Sequence, residues 1–179
     1  SHGRGWRTRP FVQMVLDSFV RAAPADCRLV VKAHPLDVGY GNNRKNIHLD
    51  IVSRGLGDRV DFLQSGPLGP IVQNALGLVT INSTAGFGAL RHFRPVITFG
   101  NAIYQGEGMA VRADGPDDLD AFWNAPRAVD VERVKRFLSH VVDEALVPGS
   151  FYLPATWPKI ADHVARALCE DREAVGGDA

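Results

Sequence analysis

A single α/β domain built on an open parallel sheet, with helices on both faces, is the fold class this sequence predicts, and three observations predict it. Short apolar runs alternate with longer segments of helical period along most of the chain, which is the pattern of successive βαβ units with right-handed crossovers. Two of those runs end in polar edges: Leu29, Val30 and Val31 lead into Lys32-Ala33-His34-Pro35, and Leu78 to Ile81 leads into Asn82-Ser83-Thr84-Ala85-Gly86. Open parallel sheets bind ligands at the carboxyl ends of their strands, where such edges converge. The 179 residues are enough for one buried core with appendages. Together these features describe a Rossmann-like domain.

Each element has a local reason. Residues 1–9 are basic, contain glycine and lack apolar period, so they read as a linker or a cut edge; Ser1-His2 reads as a cloning remnant, which would make the chain a piece of something longer. From Pro10 the rows Phe11, Val15, Phe19 and Val12, Leu16, Val20 make a helix with a broad apolar face, stopped by Pro24. Leu29 to Lys32 is the first strand, and residues 36–43, with two glycines and two asparagines, form a loop long enough to be functional. A weaker helical pattern over 44–54 carries Ile47 and Ile51 and ends at Gly55.

Residues 59–63 are the second strand, and 65–70 a turn opening a short helix through Leu76. Residues 77–81 are the third strand, 84–92 a helix of small residues, and 95–99 the fourth strand, with a short fifth near 109–112. Residues 115–123 follow as a helix, with Asp117 and Asp118 suited to its positive first turn. The helix over 131–146 is closed by Pro148-Gly149, and the last, over 156–168, has Thr156 as its cap and an early Pro158. The folded domain is therefore expected over 10–169, with 170–179 a frayed tail.

Composition excludes several classes of function. Twenty basic residues balance twenty acidic ones without a basic block, so nothing marks a nucleic-acid partner. Cys27 and Cys169 are the only cysteines and lie far apart, which indicates neither a disulfide framework nor a metal site. No apolar run approaches the roughly 20 residues that span a bilayer. A small molecule in a reducing compartment is the expected setting, and a cytoplasmic protein the expected location.

At a strand end, His34 can donate to a phosphate oxygen, and Pro35 fixes the backbone beside it. Lys32, two residues earlier, shares that face and adds a point charge. The plainer alternative is a snorkelling lysine and a satisfied edge histidine. Ser83 and Thr84 likewise have a plain reading as helix caps. One hydroxyl suffices for a cap, however, and this edge supplies Asn82, Ser83 and Thr84, then Gly86 and Gly88, two glycines that cost about 1 kcal/mol each in a helix. That surplus favours an anion site, although packing against the sheet explains small residues equally well. Asp61 reads as a surface edge carboxylate, His92 as a helix C-cap, and Glu107 as a loop charge in preference to a sugar contact. His48, His140 and His163 need no role, Trp6, Trp123 and Trp157 are packing residues, and Asp37 and Tyr40 are candidates for substrate contact.

Taken jointly, Lys32-Ala33-His34-Pro35, Ile81-Asn82-Ser83-Thr84-Ala85-Gly86 with Ala89-Leu90 and Arg94-Pro95-Val96, then Tyr104 and Gly108, resemble the capsule polysaccharide biosynthesis and export family. That family includes the Kdo transferases of bacterial capsules, and the resemblance covers about Phe11 to Trp123. It implies the C-terminal, nucleotide-sugar-binding half of a two-domain GT-B glycosyltransferase. The implied donor is CMP-Kdo or a related CMP-sugar, with no tightly bound cofactor and no metal. Lys32, His34, Pro35, Asn82, Ser83 and Thr84 are the implied donor-binding residues, and His34 the catalytic one. Ribose and base contacts are expected at Phe62 to Gln64.

The resemblance further implies a glycolipid or polysaccharide acceptor, held by a domain absent from this sequence, and peripheral association with a capsule export complex at the inner membrane. The family's glutamine and acidic-residue motif has no counterpart here, since Gly3 to Arg9 contains no carboxylate; the isolated chain is expected to bind a nucleotide and not to turn over. Two other readings stand beside this one, a CDP-glycerol-type phosphotransferase and a non-catalytic docking domain of the capsule machinery.

Overall fold

A computed structural model describes residues 7–33, 43–147, 149 and 153–175. The chain divides into two compact units, Ser1–Lys135 and Arg136–Ala179. The first holds α1 (Thr8–Ala22), β1 (Leu29–Lys32), α2 (Asn43–Val52), β2 (Val60–Leu63), α3 (Leu68–Asn74), β3 (Leu78–Thr80), α4 (Ala85–Arg91), β4 (Val96–Thr98), β5 (Val111–Arg112), α5 (Pro116–Asn124) and the start of α6 (Val131–Ala145). The second holds the rest of α6, a 3-10 turn at Pro154–Thr156 and α7 (Trp157–Val175).

Every strand pairing among the described residues is parallel, as the alternation of elements requires. β1 pairs with β2, with Lys32 opposite Leu63; β3 pairs with β4, with Thr80 opposite Thr98; and β4 pairs with β5. The expected continuous sheet is divided, among the described residues, into a two-stranded and a three-stranded piece. The strands are only two to four residues long, and side chains make the junction where backbone hydrogen bonds do not. Leu29 of β1 and Val79 of β3 pack on one apolar cluster with Val15, Ile97, Phe99, Leu119 and Phe122. Leu29 also packs on a second cluster, formed by Leu16, Phe19, Ile47, Ile51, Leu56 and Val60.

α1 spans both clusters, which is why its apolar face is broad. Val15 faces one cluster, Leu16 and Phe19 the other, and residues 3 and 4 apart on a helix share a face. A polar seam fixes α1 against α5. The fully buried Ser18 donates to Asp120 Oδ1 at 2.5 Å and accepts the Trp123 indole N–H at 2.8 Å, while Arg21 grips both Asp120 oxygens at 2.7 and 2.9 Å. A second polar seam joins α1 to α2, where Arg9 and Gln13 bond the buried Asp50. Trp123 packs edge-on against Phe19 at 5.4 Å, the packing role expected of it.

Two boundaries differ from expectation at the C-terminal end. Thr156 lies in the 3-10 turn that precedes the last helix, and its hydroxyl donates to the Leu153 carbonyl at 2.8 Å. α7 then continues to Val175, past the expected end at residue 168. Elsewhere, Asp118 serves the α5 N-terminus by accepting from the backbone N–H groups of Asp114 and Gly115 at 2.8 and 3.3 Å.

Candidate functional site

The polar edge after β3 is built by local bonds and clamped from below. Ser83 N–H donates to Thr80 Oγ1, and Ser83 Oγ accepts from Ala85 N–H, both at 3.2 Å, which shapes a tight turn into α4. Thr84 takes the N-cap position with helical dihedrals, makes no capping hydrogen bond through its hydroxyl, and is exposed. One hydroxyl therefore does the turn's work and the other faces solvent. Asn82 is half-buried beside them.

The clamp comes from the segment after β4. Tyr104 is almost fully buried, and its hydroxyl donates to the Ser83 carbonyl at 2.5 Å. Its ring lies edge-on to Phe87 at 5.1 Å and fills the space where a side chain on Gly86 would stand. Gly86 is thus a packing glycine: a Cβ there would overlap the Tyr104 ring and hydroxyl, whereas Gly88 faces open space. Burial pushes the Tyr104 phenol up to about 12, so it stays a protonated donor at neutral pH. Beside it, Gln105 Nε2 donates to Thr98 Oγ1 at 2.5 Å and to the Gly100 carbonyl at 2.7 Å. These bonds hold the carboxyl ends of β3 and β4 in one fixed arrangement.

At the other sheet, Lys32 ends β1 half-buried, and its Nζ donates to the Ala33 carbonyl at 3.1 Å. His34 and Pro35 lie outside the described residues, as do Asp37 and Tyr40. The structure therefore groups Asn82, Ser83 and Thr84 on one edge and puts Lys32 at the end of another strand. Beside β2, a cleft of about 400 Å³ is lined by Arg44, Lys45, His48 and Phe62, and Arg44 Nη1 donates to Gln64 Oε1 at 3.2 Å. His48, read from sequence as needing no role, lines this cleft.

The remaining side chains take the plainer roles expected of them. Asp61 is half-exposed and paired with Arg28 at 3.0 Å. His92 is the C-cap of α4. Glu107 is 95% exposed and 3.8 Å from Arg133, a loop charge. Reasoning from residue types missed the clamp, because a tyrosine and a glutamine in a glycine-rich loop carry no periodic signal. Tyr104 was visible only as part of the motif pattern.

The family model described as "Capsule polysaccharide biosynthesis protein" matches residues 2–152. The chain belongs to the capsule polysaccharide biosynthesis family. Among its relatives is the capsule polysaccharide export protein KpsS of Escherichia coli, 33% identical over 144 residues, which are 80% of this chain and 36% of KpsS. The capsule polysaccharide modification protein LipB of Neisseria meningitidis is 33% identical over 151 residues, 84% of this chain and 35% of LipB. This capsule-family chain spans about a third of the length of the curated relatives it matches.

Among solved structures, Anabaena HepE in complex with UDP aligns at a TM-score of 0.51 and 16% identity, over 80% of this chain and 47% of HepE. HepE in complex with UDP and glucose aligns at 0.50 and 17%, over 77% and 46%. At that identity the likeness establishes the fold, a Rossmann-like α/β unit of GT-B type. Among the described residues no helix is long and apolar enough to cross a membrane.

Proposed function

We infer that this chain is the nucleotide-sugar-binding unit of a capsule-polysaccharide glycosyltransferase, and that its donor is a CMP-sugar related to CMP-Kdo. The observation that carries the reading is the edge after β3. Thr84 presents a hydroxyl that caps nothing, beside Ser83, on a turn whose Ser83 carbonyl is bonded from beneath by the buried Tyr104 hydroxyl. Two hydroxyl donors on a preorganised turn suit a phosphate.

In this reading Asn82, Ser83 and Thr84 receive the donor phosphate from one side, and Lys32 with the His34-Pro35 pair from the other. In a CMP-sugar the glycosidic bond leaves directly from that phosphate, so negative charge grows on it as the bond breaks. Donors fixed at that point stabilise the transition state more than the ground state. His34 is then catalytic as well as binding. The acceptor, a glycolipid or polysaccharide, is held by the part of the protein outside this sequence, which works in the cytoplasm, peripheral to the inner membrane and to an export complex.

A uridine donor is the competing reading, because the solved HepE complexes hold UDP. Titrating the chain with CMP, UDP and CDP-glycerol, with backbone amide shifts as the readout, separates them. CMP is expected to move Lys32, His34, Ser83 and Thr84 at millimolar concentration, and His34→Ala and Thr84→Ala to weaken it. Tighter binding of UDP replaces the CMP-sugar assignment with a uridine one, and tighter binding of CDP-glycerol points to the phosphotransferase. Silence with all three removes the nucleotide site. In the full-length protein, transfer that survives His34→Ala would leave the docking-domain reading.

A further inference from the structure

The two pieces of sheet carry open edges, on β1 and on β3. In a parallel ladder one residue directs its N–H and C=O to one side and the next directs them to the other. Leu29 N–H donates to the Arg59 carbonyl and Ala33 N–H to the Leu63 carbonyl, both at 2.9 Å, so Leu29, Val31 and Ala33 face β2 and Val30 and Lys32 face away from it. On β3, Leu78 N–H donates to the Pro95 carbonyl at 2.9 Å and the Thr80 carbonyl accepts from Phe99 N–H at 3.0 Å. Val79, between them, turns its backbone groups away from β4. β1 and β3 are not paired with each other among the described residues.

Burial runs the wrong way for strands at the middle of a sheet, which in α/β proteins are covered on both faces. Every residue of β4 is buried, whereas every residue of β3 is half-buried and Val30 of β1 is 39% exposed. One helix nevertheless serves both edges: α1 puts Val15 on the cluster that Val79 joins, and Leu16 and Phe19 on the cluster that Val31 joins. α2, α3 and α4 each link two strands of the chain, and the crossover through α3 makes the two pieces run in the same direction. α1 enters β1 with no strand before it among the described residues. A helix packed on a parallel sheet and leading into one of its strands is the second half of a right-handed βαβ unit.

We propose that the open edges of β1 and β3 are a binding site for one further parallel strand, supplied by polypeptide that precedes residue 1 and connected to β1 through α1. The order becomes β2-β1-strand-β3-β4-β5, with the added strand bonded to Val30 and Lys32 on one side and to Val79 on the other. Covered on both faces, that strand is a short continuous apolar run without proline. The curated relatives have length for it, since this chain spans 36% of KpsS and 35% of LipB. A second copy of the chain has no such strand to give, because each of its described strands already pairs on at least one side. The direction of the chain across the sheet reverses at the added strand, and ligands bind in the crevice at such a reversal. Its carboxyl end then comes between Lys32 and the Asn82-Ser83-Thr84 edge, so the residues that follow it complete the donor site; this consequence rests on the proposed function, whereas the strand site does not.

The coding sequence upstream of residue 1 and hydrogen exchange test the site. An apolar run of strand length is expected in about the ten residues before residue 1. In the 179-residue chain the amides of Val30, Lys32 and Val79 are expected to exchange about a hundredfold faster than those of Leu29, Val31 and Thr80. In the protein carrying its natural upstream residues they should slow to the rate of those neighbours. An upstream sequence without an apolar run, equal protection already in the 179-residue chain, or unchanged exchange in the longer protein would overturn the site. Protection that rises with the concentration of the 179-residue chain, with a dimer in sedimentation, would assign the edges to a second copy and overturn the upstream strand. No nucleotide enters these measurements, so failure of the donor reading leaves their outcome unchanged.

Discussion

Replacing Gly86 and Gly88 by alanine, one at a time, should change stability in opposite directions although the two residues stand two apart on the same short helix. Removing a glycine from a helix gains at most about 1 kcal/mol, from propensity and from a less flexible unfolded chain. At Gly88 nothing lies within 4 Å of the added Cβ, so that gain is realised and Gly88→Ala should stabilise by several tenths of a kcal/mol to about 1 kcal/mol. At Gly86 the Cβ would overlap the ring and hydroxyl of Tyr104. Tyr104 is 1% exposed and cannot swing into solvent without emptying its place in the core. Overpacking costs about 1–3 kcal/mol, and displacing the ring stretches the bond to the Ser83 carbonyl, worth about 1 kcal/mol.

The Ser83 carbonyl keeps a second donor, Gly86 N–H at 3.0 Å, which limits that last loss. Against a gain no larger than about 1 kcal/mol, Gly86→Ala should therefore destabilise by roughly 1–3 kcal/mol. Urea unfolding followed by circular dichroism reads both effects. A domain of this size should lose roughly 2–4 °C in Tm per kcal/mol. Tyr104→Leu should relieve the Gly86→Ala penalty in the double variant, because the two side chains compete for one volume. Stabilisation by Gly86→Ala, or additive effects in the double variant, would refute the packing argument.

Ser18→Ala should cost about 1–3 kcal/mol, because it strands the Trp123 indole N–H and takes a donor from Asp120; thermal unfolding monitored by tryptophan fluorescence checks it. The Arg21 guanidinium, helped by the Ser18 hydroxyl and opposed by burial, holds the Asp120 carboxyl below its usual range. At Asp50, burial raises the carboxyl and is outweighed by the bonds from Arg9 and Gln13 and the charge of Arg54. Both folded values lie below the unfolded ones, so their stabilisation is present above the unfolded carboxylate pKa of about 3.9 and is lost as pH falls through the folded values. Asp120→Asn should flatten the fall in urea midpoint between about pH 5 and pH 2, and an unchanged acid limb would remove Asp120 from the account. Thr84→Ala should leave the unfolding midpoint nearly unchanged, since the hydroxyl caps nothing; a loss above about 1 kcal/mol would restore the plain capping role.

The element order, the parallel pairing and the two polar edges could be read from the sequence, because each rests on local signals. Apolar period, Pro24 and Gly55 mark boundaries that a chain must obey wherever it folds. Lys32 and the Asn82-Ser83-Thr84 run declare themselves by residue type at a strand end. The roles of Gly86 and Tyr104 were illegible for the opposite reason: each is defined by a partner far along the chain. Thr156, expected inside the last helix, lies in a 3-10 turn before it and donates to the Leu153 carbonyl.

By itself, then, the sequence determined what kinds of segment this chain contains and which of their ends are polar, since dihedral preference and hydrophobic period act over a few residues. Tertiary structure alone decided that Tyr104 closes on Ser83 across 21 positions and Ser18 on Asp120 across 102. It also decided that the α2 cations and Phe62 share one cleft. Close packing and the demand that buried polar groups find partners select such contacts only after the segments have come together.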